Sequence, residues 1–412
     1  MIVRCYFVCE ICRHPHTLRI SVGPNSFQKH SFACRNCGEL IEVGMKVDYK
    51  TTSTEPVALS NCVPSSEEGS IVNLNPTLVV PDELQGRDGV FPSIHEMQRL
   101  LTQDSTLKEE IMEPDAQPAP EIMAEWERRG RPPPGVAHDW EFAKRVWSMF
   151  LKGRHDVCAD YILREHARFG FDEAPHPYEV IYGVCAKLGR RHAKDVFDAL
   201  HTEWASAETK QPNQLKALRF YFLDQHCPGF LLGSLGAISE YMDHYSEFSQ
   251  VLIYRDRKVK IDDGFSPSST AFDDTKMVYG NAFEHLASFL VLPACLNNVV
   301  EERAYDTFEK LTIAAYLELD KALRHNAFKD NPQLAVVAEC LNNQIRNASH
   351  HGNIHFNSKS GFVAYRPTKK GGLKHIKYAD YLTLCNTIIQ TIAGLVCFVV
   401  AELRPEEPGS ET

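Results

Sequence analysis

Four cysteines near the start of the chain are spaced as metal ligands. Cys9 and Cys12 form one C-x2-C pair and Cys34 and Cys37 a second, with 21 residues between the pairs. A C-x2-C turn sets two thiolates at the separation a tetrahedral ion requires, and two such turns supply the four soft donors that zinc prefers. Four protein donors leave no position for water, so the expected cofactor is one structural Zn2+ with no catalytic role. Gly38, directly after the second pair, suits the tight turn of such a knuckle. Cys5, His14, His16 and His30 lie close by in sequence and are read as bystanders.

A second concentration of chemistry occupies residues 341–352, Leu-Asn-Asn-Gln-Ile-Arg-Asn-Ala-Ser-His-His-Gly. On a helix, Arg346 and His350 are one turn apart, as are Asn347 and His351, so four polar groups form two adjacent stripes. The apolar residues Leu334, Val337, Ala338, Leu341 and Ile345 turn inward on that helix, and Gly352 is placed to end it. Between 341 and 377 there are seven basic residues and no acidic one. Such a local excess in an acidic chain suits a phosphate-bearing ligand. Lys359, Arg366, Lys369, Lys370, Lys374 and Lys377 are the candidate phosphate contacts, with His355 and His375 as further titratable groups.

These groups must be positioned by a chain of 412 residues, too long for one core. With 43% hydrophobic and 24% charged residues it has a globular composition, and a net charge of −10 argues against coating nucleic acid through an overall field. Residues 51–120 alone hold twelve acidic and three basic side chains. The remaining cysteines are scattered through apolar stretches, as small buried hydrophobes in a reducing compartment. The first residues lack the apolar core of a secretory signal, so a cytoplasmic location is expected. Residues 381–401 carry no charge and are long enough to span a bilayer. Thr383, Thr387, Gln390, Thr391 and Gly394 mark a weakly polar stripe there, and Asn386 is costly in lipid. The run is read as a buried core or dimer helix, without a membrane.

The expected fold is mainly α. A small β zinc ribbon covers 1–50, with strands near 17–22 and 40–47. An acidic Pro/Ser-rich linker covers 51–135, with a short helix near 93–113 and a firm stop at the prolines 132–134. A helical region of unknown role covers 136–262, with helices near 157–169, 177–188, 193–205 and 214–225. A loop at 264–274 marks a boundary. A second helical bundle covers 275–405, with helices near 277–292, 308–326 and 332–351, a small β insertion after Gly352, and a final helix from 381 to about 403. No internal repeat and no phosphate-binding glycine loop is present.

An Arg, a polar residue directly after it and a His after four intervening positions resemble the signature of the HEPN superfamily of helical nucleotide-binding and ribonuclease domains. Arg346, Asn347 and His351 match it position by position, and the resemblance covers about 275–405. It implies metal-independent RNA cleavage, in which the ribose 2′-hydroxyl attacks the adjacent phosphate to leave a 2′,3′-cyclic phosphate. His351 would move the proton, Arg346 would hold the non-bridging oxygens, Asn347 would orient the His, and His350 would support. The family's ribonucleases often carry an acidic residue on an early helix, for which Glu284 and Glu318 both qualify. The resemblance also implies pairing of two copies through the helical domain, with the uncharged last helix in the interface, and a regulated role in defence or toxin systems with the ribbon as sensor or targeting module. A non-catalytic adaptor, in which the bundle dimerises or binds nucleotide and the ribbon binds a protein or nucleic acid, is the alternative.

Overall fold

The computed structural model describes residues 1–412 apart from 24, 50, 104–135, 170, 172, 358–359, 369–370 and 405–412. More than half of the described residues, 55%, are helical, with small sheets and a strand-rich N-terminus. Strands β1 (Ile2–Cys9), β2 (Pro15–Ser21), β3 (Phe27–Ala33) and β4 (Leu40–Asp48) form the cysteine region. In β4 the residues Ile41, Val43, Met45 and Val47 are all buried, the alternation of a strand with one covered face.

The expected linker does not begin at 51. Strands β5 (Ser53–Ser60), β6 (Cys62–Pro64), β7 (Ser70–Leu74) and β8 (Val80–Pro81) and helix α1 (Pro92–Gln103) occupy its first part. The sheets run in the orders β6-β1-β2-β7 and β3-β4-β5, so β5, β6 and β7 extend the sheets of the ribbon. β7 pairs in parallel with β2, Thr17 opposite Ile71, and seals β2 as a central strand. Composition averaged over 51–120 hid this, because Val72, Leu74, Leu78, Val79 and Val80 are buried against partners supplied by other strands. The acidic, proline-bearing remainder, 104–135, lies outside the described residues.

The helical body follows: α2 (Val136–Leu151), α3 (His155–Glu165), α4 (Pro177–Lys210), α5 (Pro212–Gln225), α6 (Cys227–Asp243), α7 (Tyr245–Phe248) and α8 (Leu252–Asp256). After β9 (Phe265–Ser266) come α9 (Phe272–Thr275), α10 (Val278–Phe289), α11 (Val291–Val300), α12 (Ile313–Leu317), α13 (Ala335–Ala338) and α14 (Asn343–His350). A three-stranded antiparallel sheet, β10 (Ile354–Asn357), β11 (Phe362–Tyr365) and β12 (Lys374–Lys377), precedes the last helix, α15 (Tyr378–Phe398), which ends in a π turn over Val399–Leu403.

One hydrophobic core joins these helices from Val136 to Leu403, so 136–262 and 275–405 are not separate domains. α15 lies at its centre against α4. Gly394 permits that approach: a Cβ there would fall 2.7 Å from the Ala193 carbonyl oxygen. The stretch Tyr378–Leu403 is long and apolar enough to cross a membrane, and 89% of its most apolar window is buried within the bundle. Its polar stripe is bonded internally except at Gln390 Nε2. Asn386 accepts from Tyr241 at 2.7 Å and donates to the Phe248 carbonyl at 3.0 Å, and Gln390 accepts from Arg255 at 2.9 Å. α15 is thus enclosed by the bundle over most of its length, with Asp380 exposed near its start.

Two expected helices are broken. The run 308–326 is reduced to α12 and a 3-10 turn over Lys321–Phe328, and 332–351 is divided into α13 and α14. Short polar side chains compete for the backbone at the breaks. Asp320 Oδ1 accepts from the Ala322 amide, Asn331 Oδ1 from Gln333 and Leu334, and Asn342 Oδ1 from Gln344 and Ile345. Conversely, the helices expected at 177–188 and 193–205 are continuous in α4 except for a kink at Arg190, with φ 52° and ψ −141°.

The stretch 264–274 is a joint. β9 pairs with β8, Ser31 and Ser269 share a hydrogen bond of 2.9 Å, Thr270 donates to the Ser31 carbonyl at 2.7 Å, and Asn75 donates to Ser268 at 2.8 Å. Its serines supply hydroxyl partners to the ribbon backbone, a role that a loop-like composition conceals.

Candidate functional site

The four cysteine sulfurs all lie within 4.8 Å of one another, with Cys9 and Cys37 3.8 Å apart and Cys12 and Cys34 3.6 Å apart. Cys9 ends β1 and Cys34 follows β3, so each knuckle hangs from a strand end. The two turns are built alike. The Arg13 amide donates to Cys9 O at 2.9 Å and the Gly38 amide to Cys34 O at 3.0 Å. Both Arg13 and Gly38 have positive φ, 61° and 81°, which Gly38 adopts without the steric cost that Arg13 bears. His16 supports the second knuckle by accepting from the Arg35 amide at 3.2 Å, which places it beside the sulfurs and outside the ligand set. His14 bonds Ser70 at 2.7 Å, and His30 is enclosed, its ring pushed down to about 4 by burial. Hydrogen bonding to Asn36 draws the Cys12 thiol down to about 6. The Cys37 thiol is helped down by the Glu39 backbone, yet desolvation and the neighbouring thiols carry it up to about 12. Four sulfurs this close cannot all ionise unaided, and a divalent cation between them removes that conflict. The arrangement can hold one metal ion.

The second cluster is assembled from three segments. Arg346, on α14, reaches across to α10, where its Nε and Nη2 both bond Glu284 Oε1, and its Nη1 donates to Asn347 Oδ1 at 2.8 Å. Lys321, from the 3-10 turn, lies 2.8 Å from Glu284 Oε2, and His350 Nε2 lies 3.9 Å from Oε1. The Arg346 guanidinium also sits over the Phe283 ring, 5.7 Å from its centroid. Burial raises the Glu284 carboxyl, and hydrogen bonds from Lys321 and Arg346 outweigh it, leaving the group below its ordinary range. Gly280 lets α14 approach here, since a Cβ on it would stand 3.2 Å from His350 Nε2. Of the two acidic residues the sequence offered, Glu284 is the one that meets Arg346. Glu318 lies exposed at the end of α12.

Asn347 is committed to Arg346 rather than to a histidine. His351 caps α14, its amide donating to the Asn347 carbonyl at 3.1 Å, and its side chain is exposed. Of the expected phosphate contacts, Lys374 bonds Gln344 at 2.7 Å and Lys377 is paired with Asp263. Arg366 is exposed after β11, and Lys359, Lys369 and Lys370 lie outside the described residues. Lys321 was missed because no local pattern marks it; only the packing of its turn on α10 brings it to Glu284. No protein-family model, no curated protein and no solved structure matches the chain.

Proposed function

We propose that the chain is a metal-independent endoribonuclease of HEPN type whose zinc-bearing ribbon senses or targets. The observation that carries this reading is the meeting of Arg346, Glu284 and His350 at one point beside an exposed His351. In this reading Glu284 and Asn347 fix the plane of the Arg346 guanidinium, so its remaining donors face the non-bridging oxygens as charge builds on the phosphate. His351, the side-chain type that exchanges a proton near neutral pH, takes the proton of the attacking 2′-hydroxyl or returns it to the leaving oxygen. Arg366, Lys374 and the lysines at 359, 369 and 370 hold the flanking phosphates. The ribbon's ion is zinc, on the strength of its four sulfur donors, and has no part in the reaction.

The test is cleavage of a labelled single-stranded RNA in excess EDTA by wild type, Arg346→Ala, His351→Ala and Glu284→Gln. The reading requires products ending in 2′,3′-cyclic phosphate from wild type, at least a hundredfold less from the first two variants, and an intermediate loss from the third. Equal cutting by all four proteins places any chemistry elsewhere.

One observation favours a second reading, the non-catalytic adaptor: Arg346 is already neutralised by Glu284, as a purely structural arginine would be. In that case no RNA is cut, and Glu284→Gln lowers stability instead.

A further inference from the structure

A cleft of about 630 Å³ lies away from the Arg346 cluster, among the second half of α4, the end of α8 with residues 258–261, the end of α13 and the start of α15. Its volume is in the range that takes one small organic ligand. The charged groups that line it are of both signs.

Four of them are cations, Arg191, Arg255, Lys258 and Lys260. Arg255 is fixed from two sides, Nε to Gln390 Oε1 at 2.9 Å and Nη2 to Glu339 Oε1 at 2.9 Å. Arg191, Lys258 and Lys260 have exposed side chains with no ion pair to another described residue. Buried His192, 2.9 Å from Thr391 Oγ1, is pushed down to about 3 by burial and then by the positive charge of Arg255 and Lys258. The Glu339 carboxylate that holds Arg255 also lies 3.4 Å from His192 Nδ1. Behind Arg255, the Gln390 side chain is 1% exposed and its Nε2 has no acceptor among the described residues. Arg190, next to Arg191 in the chain, is the kinked residue of α4. Arg190 is held in that conformation by its ion pair with Asp256.

Asp195, one helical turn from Arg191, and Asp380 also line the cleft, together with the apolar Val259 and Val336. A bare inorganic anion would use the cations alone. Carboxylates that accept from hydroxyl or amine groups, beside an apolar surface, call for a ligand that also brings a sugar and a base.

We propose that this cleft binds a nucleoside phosphate, either free or as one unit of a nucleic acid strand, with the phosphate on Arg191, Arg255, Lys258 and Lys260 and the ribose or base toward Asp195 and Asp380. The site does not depend on the ribonuclease reading, because none of its residues belongs to the Arg346 cluster.

The experiment is equilibrium binding by calorimetry on the full chain, with 5′-AMP, adenosine, inorganic phosphate and a 5′-phosphorylated trinucleotide as probes. The proteins are wild type, Lys258→Glu/Lys260→Glu and Arg346→Ala, with circular dichroism to confirm folding. The expected result is 5′-AMP binding at least tenfold tighter than adenosine or phosphate, weakened at least tenfold in the double variant and unchanged in Arg346→Ala. If the trinucleotide binds and 5′-AMP does not, with the same loss in the double variant, the proposal stands with a strand as the source. Binding of neither probe, or equal binding by wild type and the double variant, overturns it. The Arg346→Ala arm separates this outcome from that of the cleavage assay, since either can fail alone.

Discussion

The ribbon and the α4–α15 pair each bring distant parts of the chain into close contact, and they hold that contact by different means. In the helical pair, Gly394 meets the backbone at Ala193, and the surrounding buried side chains include Val196, Leu200, Ile392 and Val396. The contact is secured by apolar area. In the ribbon the core is small, built from residues such as Phe7, Leu18, Ile41 and Val72, and the tips of its strands converge on sulfur. The difference separates stability that comes from burial from stability that comes from a ligand: the first is set by the chain alone, the second by the chain and its metal supply.

The largest expected effect tests that separation. Cys34→Ser, or removal of the ion by a strong chelator, costs the ribbon more than about 5 kcal/mol and unfolds it. Metal analysis should then fall from one ion per chain to none, and hydrogen exchange should show loss of protection in β1 to β5 with α4 and α15 still protected. Protection that survives in both regions would break the comparison. The reverse substitution acts on the other side. Gly394→Val forces a side chain against Ala193 and Val196 and lowers bundle stability by about 3 kcal/mol, read as a lower Tm with metal content unchanged.

A smaller effect belongs to the joint between the two regions. Glu247 on α7 accepts from Tyr378 and from the Ala271 amide, with Lys29 and Asp274 also nearby, and burial pushes its carboxyl up to about 7. A carboxyl raised in the folded state favours its neutral form, so its contribution is complete at acidic pH and is lost as the pH rises through about 7. Denaturant titrations at pH 5.5 and pH 8 should show wild type losing about 2 kcal/mol on going to pH 8, and Glu247→Gln losing much less. Equal pH dependence in both proteins would show that other groups govern the joint. The smallest effect is at Ile11, 61% exposed between Cys9 and Cys12. Ile11→Ser should change stability by less than about 0.5 kcal/mol and leave metal content unaltered, because the knuckle rests on its turn and its sulfurs.

What could be read from the sequence was local. The knuckles were legible because C-x2-C spacing dictates sulfur separation, and α15 because an uncharged run with a polar stripe has few alternatives. Strands β5 to β8 were not, since their burial depends on partners that composition does not name. The breaks at Asp320 and Asn342 escaped because an apolar period of 3.6 persists through them while single side chains divert the backbone. In the Arg346 cluster the histidines and Asn347 were visible at helical spacing, whereas Glu284 lies 62 positions away and became distinguishable from Glu318 only through packing. The cleft could not be foreseen, as its cations are contributed by Arg191, Arg255, Lys258 and Lys260 from separate segments.

The hydrogen bonds between Ser31 and Ser269 and between Asn75 and Ser268 span 238 and 193 positions of chain. On a ribosome, the ribbon therefore emerges well before the segment it docks against exists. At about 5 to 20 residues per second, Ser31 waits roughly 10 to 50 seconds for Ser269. Throughout that interval the ribbon exposes its docking edge, and its four sulfurs are what it has to hold itself together. An ion held by those sulfurs would therefore serve the ribbon most at the beginning of the protein's life, while its docking edge is still uncovered.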